Sequence, residues 1–351
     1  MADALPYVDK DNRQEGLYVS APWSTKALID ALVQSSGTPD AVLAIRRKSR
    51  DAIEKYRAAF GEPTVPFQIE ALASLLGIEV TQQRPLHSKD AELVPVEGGR
   101  VAIRVNPDRP ETRRRFSIGH EIAHTFFPNY EGKAWCRTDA RYRRRDNPDE
   151  YLEMLCDIGS AELLMPSPWF PADAARVTAA AELLQLAQTY GVSREAMLRR
   201  FAEGHSGAAA AVFFSWKLKP TQQKTVGLRD QGRLFGDPIE EARRAKKLRV
   251  DYSIPSAEFA AVGYFIPSDK SVDGEGPLHT AASSGTPCDG VSQLDCGGAT
   301  GPFRVLALPV WTADPDLGPA GQNGVAAIIE PLDRKSNRAS ADRRAGLFDY
   351  S

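Results

Sequence analysis

Two of the five histidines in this 351-residue chain stand four positions apart, in the run His120-Glu121-Ile122-Ala123-His124. No other feature restricts the fold so tightly. The spacing is useful only on an α-helix, where positions i and i+4 lie roughly 40° apart around the axis and about 6 Å apart along it. Both imidazoles can then reach one divalent cation, and a catalytic site keeps a further coordination position open for water. Glu121, beside the first ring, stands where a general base would take a proton from that water. The helix is supported by its own sequence. From Pro110 the chain reads P-E-T-R-R-R-F-S-I-G-H-E-I-A-H-T-F-F, with proline suited to the first turn, an acid after it, and Pro128 closing the segment. Phe116, Ile118, Ile122, Phe126 and Phe127 fall mostly on one stripe at helical spacing, which predicts burial of one side.

A second helix is predicted from Asn147-Pro148-Asp149-Glu150, with Asn147 as cap, proline at the first position and acids against the positive end of the dipole. It ends at Met165-Pro166. Glu153 and Asp157 share one face, continued by Ser160, Ala161 and Leu164. On an open surface, like charges at this spacing cost a few tenths of a kcal/mol. Facing a cation they become useful: Glu153 as a third ligand, Asp157 as the acceptor that fixes the tautomer of a ligating histidine. Two solvated carboxylates are the plain alternative.

The order R-R-F-S-I-G-H-E-I-A-H, followed after a gap by E-M-L-C-D-I-G-S-A-E-L-L-M-P, resembles the ImmA/IrrE family of zinc-dependent metallopeptidases. Phe67-Gln68-Ile69-Glu70 through Val80, and Arg104-Val105-Asn106 closing a short hairpin, extend the likeness to about residues 60–205. The resemblance implies a zincin-like domain in which His120, His124 and Glu153 hold the metal and Glu121 is the catalytic acid/base. Cys156 stands where alanine is commoner in the family, and Gly159-Ser160 replace a bulky-then-small pair. These departures are expected to affect packing rather than ligation.

Between His124 and Glu153 the chain lacks clear periodicity, as a lid or mobile segment would. Arg137, Arg141, Arg143, Arg144 and Arg145 cluster there. Arg143, Arg144 and Arg145 are candidate substrate contacts, with simple solvation as the alternative. Tyr130, Tyr142 and His205 are candidates for stabilising an oxyanion.

Composition narrows the class. Basic and acidic residues nearly balance, 44 against 46, so no overall field points to nucleic acid or a membrane. No apolar run approaches the ~18 residues needed to span a bilayer. The polar, acidic N-terminus is the reverse of a secretory signal, which predicts a cytoplasmic protein. Cys288 and Cys296 flank a loop and could bridge, though a cytosolic setting favours reduced thiols.

The organisation read from the sequence is α+β: an irregular tail at 1–20, a metallopeptidase domain with a small sheet and two active-site helices at 21–177, a helix-turn-helix-like pair at 178–206, a C-terminal α+β sensor-like domain at 207–332, and a disordered tail at 333–351. Helices are expected at Thr25–Gln34, Asp40–Ala59, Val65–Leu76 and Pro238–Arg249. The Asp40–Ala59 helix, rich in Arg and Lys, reads as surface-exposed. Strands are expected at Ile78–Thr81, Ala91–Pro95, Val101–Val105, Phe259–Ile266, Phe303–Val310 and Gly324–Glu330, with another in the apolar run from Ala208. Pro267–Pro302, rich in glycine, serine and proline, reads as a long loop. Some longer family members carry a GAF-like C-terminal domain, which the resemblance extends to this region.

These observations predict a zinc endopeptidase, with Mn2+ or Fe2+ also compatible with the donor set. The resemblance implies a site-specific regulatory protease whose protein substrate is a helix-turn-helix repressor of stress-response or mobile-element genes. A competing expectation is a DNA- or repressor-binding regulator with a structural or idle metal site. The G-V-S helix pair has the shape of a DNA reader, but Arg194, Arg199 and Arg200 give it only a modest basic face.

Overall fold

The computed structural model describes residues 24–84, 89–128, 130, 135–136, 147–219, 246–272, 274–296, 299–310 and 324–332. The tails at 1–20 and 333–351, Tyr142, and the arginines at 137, 141, 143, 144 and 145 lie outside the described residues.

The chain opens with two helices. In α1 (Thr25–Ser36) Ser24 accepts a hydrogen bond from Ala27 N, and Gly37 ends the helix at φ 64°. In α2 (Ala41–Phe60) Asp40 accepts from Leu43 N. The expectation of an exposed α2 is corrected: Ala41, Ala44, Ile45, Ala52, Ile53 and Tyr56 are buried on one face, and that face packs on α5 (Pro148–Leu164). Its basic residues mask an apolar stripe at three- and four-residue spacing. Helix α3 (Ile69–Leu75) is shorter than its apolar run, with Val65 left 42% exposed before it.

A four-stranded sheet follows, formed by β1 (Glu79–Gln82), β2 (Ala91–Val96), β3 (Arg100–Val105) and β4 (Trp135–Cys136) in the order β1-β3-β2-β4. Gly98 and Gly99 turn the β2–β3 hairpin at φ 80° and 69°, where a side chain would be strained. Helices α4 (Glu111–His124) and α5 then cross one another, and α6 (Trp169–Ala174), α7 (Ala180–Tyr190) and α8 (Arg194–Gly204) complete the helical part.

The second sheet has five strands: β5 (Ala210–Lys217), β6 (Lys247–Pro255), β7 (Cys288–Cys296), β8 (Ala299–Val310) and β9 (Gly324–Pro331), in the order β6-β5-β9-β8-β7 and antiparallel throughout. Alternation along β5 divides the molecule: Ala211 and Phe213 join the main core, whereas Val212 and Phe214 join a second core on the sheet's outer face. Helices α9 (Ala257–Ala261) and α10 (Pro277–Ser284) contribute Phe259, Leu278 and Ala281 to that outer core.

Three expectations fail in this half. Lys247–Arg249 belong to β6, not to a charged helix, because Leu248 and Val250 pair into the sheet and are buried. Phe259–Ile266 is not a strand: Ser256 caps a short helix by accepting from Phe259 N, and a turn at Gly263 (φ 85°) follows. Pro267–Pro302 is no long loop, since it holds α10 and β7. Cys288 and Cys296 sit at the two ends of β7, which at about 3.3 Å per residue separates them by roughly 26 Å, far beyond disulfide reach.

Candidate metal centre

Helices α4 and α5 run antiparallel and cross unusually closely. Phe116 O accepts a 2.7 Å hydrogen bond from Ser160 Oγ. A Cβ placed on Gly119 would stand 2.6 Å from Ser160 Oγ, and one on Gly159 would stand 2.8 Å from Ala123 Cβ. The small residues Gly119, Gly159 and Ser160 therefore set the interhelical distance. Arg115, 8% exposed, anchors α4 from its other side by donating to Phe67 O at 2.7 Å and to Gly191 O at 3.3 Å.

Along this crossing the structure brings the predicted donors together. Nε2 of His120 lies 3.3 Å from one oxygen of Glu153, and Nε2 of His124 lies 3.4 Å from the other. Both rings are fully buried, while Glu153 keeps a partly exposed side chain. On its far edge His120 Nδ1 stands 2.9 Å from Asp157 Oδ1. A carboxylate only accepts, so Nδ1 carries a proton, and Nε2 of a ring that holds a metal would present its lone pair toward Glu153. Lone pairs of imidazole and carboxylate face each other favourably only with a cation or a proton between them, so the donor set suits a divalent ion. Burial opposes charging of His120, but the hydrogen bonds to Asp157 and Glu153 outweigh it and raise its pKa to about 9.

Cys156 packs in the main core, as expected, and it also reaches a ring of the site. Its buried Sγ lies 3.4 Å from Nδ1 of His124, a hydrogen-bonding distance for sulfur. His120, His124 and Cys156 bring ligand atoms within 4.8 Å of one another, so a second donor set exists in which sulfur replaces the carboxylate. The carboxylate set fits better, because Glu153 faces Nε2 of both rings whereas Cys156 faces the opposite edge of one. Cys156 thus stands to His124 as Asp157 stands to His120. Nothing in the spacing distinguishes a cysteine behind a histidine from a cysteine in a core.

Glu121 is completely buried on α4. Tyr130 is half-buried against the main core. His205 is engaged elsewhere: its ring stacks on Phe201, contacts Gly207 O at 3.0 Å and reaches Glu330 at 3.4 Å. The sequence also hid a buried ion pair. Glu162, 2% exposed within the A-E-L-L-M-P run, meets Arg200 of α8 at 2.6 Å. An acid interrupting an apolar helix face was the available signal.

Residues 73–202 match the model of the IrrE N-terminal-like domain, a peptidase family. The match lies within the stretch delimited by the motifs. No curated protein matches the chain. A solved structure described as a Mycobacterium tuberculosis transcriptional regulator is similar at 13% identity, covering 92% of this chain and 85% of that one, with a TM-score of 0.47. Among the described residues no helix is long and apolar enough to cross a membrane.

Proposed function

We propose that this chain is a zinc-dependent regulatory endopeptidase of the cytoplasm, with a zincin-like domain at 21–177 and a GAF-like sensor region at 207–332. The observation that carries the reading is the convergence of two buried Nε2 atoms on one carboxylate, with Asp157 and Cys156 behind the rings. His120, His124 and Glu153 would hold the ion; Mn2+ or Fe2+ could occupy the same donors. When bound, the ion supplies Lewis acidity toward a water and a peptide carbonyl. Glu121 takes the water's proton on its carboxylate and passes it to the leaving amine nitrogen. Asp157 holds His120 Nδ1–H, so the ring keeps Nε2 directed at Glu153. The substrate proposed from the family resemblance is a helix-turn-helix repressor.

The state of α8 argues against the helix pair as a DNA reader. Arg194 donates to Pro309 O, Arg199 lies over the rings of Phe213 and Tyr252, and Arg200 is buried against Glu162. Each basic group has a partner within the molecule and Arg200 is buried, whereas specific recognition in the major groove needs such groups available to the bases.

Elemental analysis of purified protein, run beside cleavage of repressors encoded near its gene, tests the proposal. Glu121→Gln should retain the metal and the fold while cleavage falls by about 10²–10⁴-fold, the usual worth of general acid/base catalysis. Derepression undiminished in that variant would favour a binding regulator with an idle metal.

A further inference from the structure

The five-stranded sheet is curled so far that its two edges meet. Beyond β6, residues 269–272 continue the sheet: Lys270 O accepts from Val250 N at 2.9 Å, and Val272 N donates to Leu248 O at 3.1 Å. Lys270 Nζ then pairs with Asp295 Oδ2 of β7, the opposite edge strand, at 2.6 Å. Laid flat, five strand spacings would put those edges about 24 Å apart. One lysine side chain spans the remaining gap, so the outer face is concave, as in a half-closed barrel.

That concavity holds a cavity of about 280 Å³. Its floor is apolar, made by Val212 and Phe214 of β5, Val250 of β6 and Ile329 of β9. Leu294 and Val272 form facing walls. Lys270, Asp295, Gln293 and Ser271 bring polar groups to its lining, and the first two pair with each other. An apolar cavity of about 150 Å³ accepts benzene, so this volume takes a ring or branched chain with a short polar extension. The lysine and aspartate neutralise each other, and the other polar groups around the cavity carry no charge. An ionised ligand would surrender hydration without gaining an unshared counter-charge. Cys296 also lines the cavity; burial pushes its thiol pKa up to about 12, which keeps it protonated and unreactive.

We infer that the concave outer face of this sheet is a binding site for a small uncharged molecule with an apolar body and one hydrogen-bonding end, such as an amide or a hydroxyl. The Lys270–Asp295 pair acts as its latch. The site lies on the face of β5 opposite to Ala211 and Phe213, which pack in the main core with α4 and α5, and it does not depend on the metal centre.

The test is methyl NMR of the full chain titrated with 2-phenylacetamide as the neutral probe and phenylacetate as its charged counterpart. The expected result is saturable shifts confined to methyls of Val212, Val250, Val272, Leu294 and Ile329, with phenylacetate roughly tenfold weaker or worse because of its desolvation cost. Val272→Trp, which fills the cavity, should abolish the shifts while metal content stays unchanged. Signals that do not move up to the probe's solubility limit, an equal response to phenylacetate, or shifts undiminished in a folded Val272→Trp protein would each overturn the site. If that variant does not fold, the map on the natural chain decides alone.

Discussion

The α4–α5 crossing and the five-stranded sheet bury different chemistry. Among the described residues, the two helices bury Arg115, Ser117, His120, Glu121, His124, Ser160 and Glu162, whereas the strands of the sheet bury one charged side chain, Arg249. The sheet keeps its other charges at edges and rims, as in Lys270–Asp295, Lys217 between Asp251 and Asp269, and His205–Glu330. A buried ionisable group is tolerated only with a partner in fixed geometry. The crossing is therefore a precise device that small changes should damage, and the sheet a hollow one that should absorb them.

The largest stability effect should come from Arg200→Ala. It leaves Glu162 buried without its guanidinium and removes donors from Met165 O and Ser167 Oγ. Breaking one side of a buried pair costs about 3–5 kcal/mol, readable as a lower urea midpoint. A loss no greater than that of an exposed pair would erase the contrast between the two regions.

Glycine substitutions sharpen the comparison at the next level. In Gly159→Ala the new methyl meets Ala123 Cβ at 2.8 Å and Ile45 Cγ1 at 3.2 Å, overpacking that costs about 1–3 kcal/mol. It should also lower metal content by forcing the helices apart. In Gly290→Ala on β7 the nearest neighbour of the new methyl is Pro277, at 3.2–3.4 Å, and the change should cost clearly less. Equal melting temperatures for the two variants would break the argument.

This asymmetry also decides what the sequence could reveal. Metal chemistry demands particular residue types at helical spacing, so His120, His124, Glu153 and Asp157 could be read before any coordinates, together with the caps and glycines that bound their helices. The close contact of Gly159 with Ala123 and the thiol behind His124 depend on how two helices are rotated, which spacing does not encode. In the sheet, Phe259–Ile266 read as a strand because its apolar content matched one, and Ser256 as a helix cap outweighed it. The cavity was invisible because its floor residues are ordinary β formers. Only the curl of the strands turns them into a site.

Within the crossing, Cys156→Ala isolates the thiol contact behind His124. Loss of a partner behind a ligating histidine typically lowers metal affinity by about 10–100-fold, and the lower end is expected because sulfur is a weak acceptor. Chelator competition measures it, with Cys156→Ser restoring part of the loss. Unchanged affinity in Cys156→Ala would return this cysteine to a packing role.

The smallest effect belongs to the sheet's His205–Glu330 pair. Glu330 raises the pKa of His205, and His205 in turn lowers that of Glu330. The histidine's contribution is fully present below its unfolded value near 6.5 and is lost as pH rises through its raised folded value. The carboxylate's is present above its unfolded value near 4.5 and is lost as pH falls through its lowered folded value. The pair therefore stabilises most between those two limits. Both side chains are 25% exposed, so solvent screening holds the gain to about 0.5 kcal/mol. His205→Gln should accordingly lower stability slightly at pH 5.5 and hardly at all at pH 9, as read from urea midpoints at the two values. A larger loss at pH 9 than at pH 5.5 would show that the ring acts through its stacking on Phe201 and not through its charge.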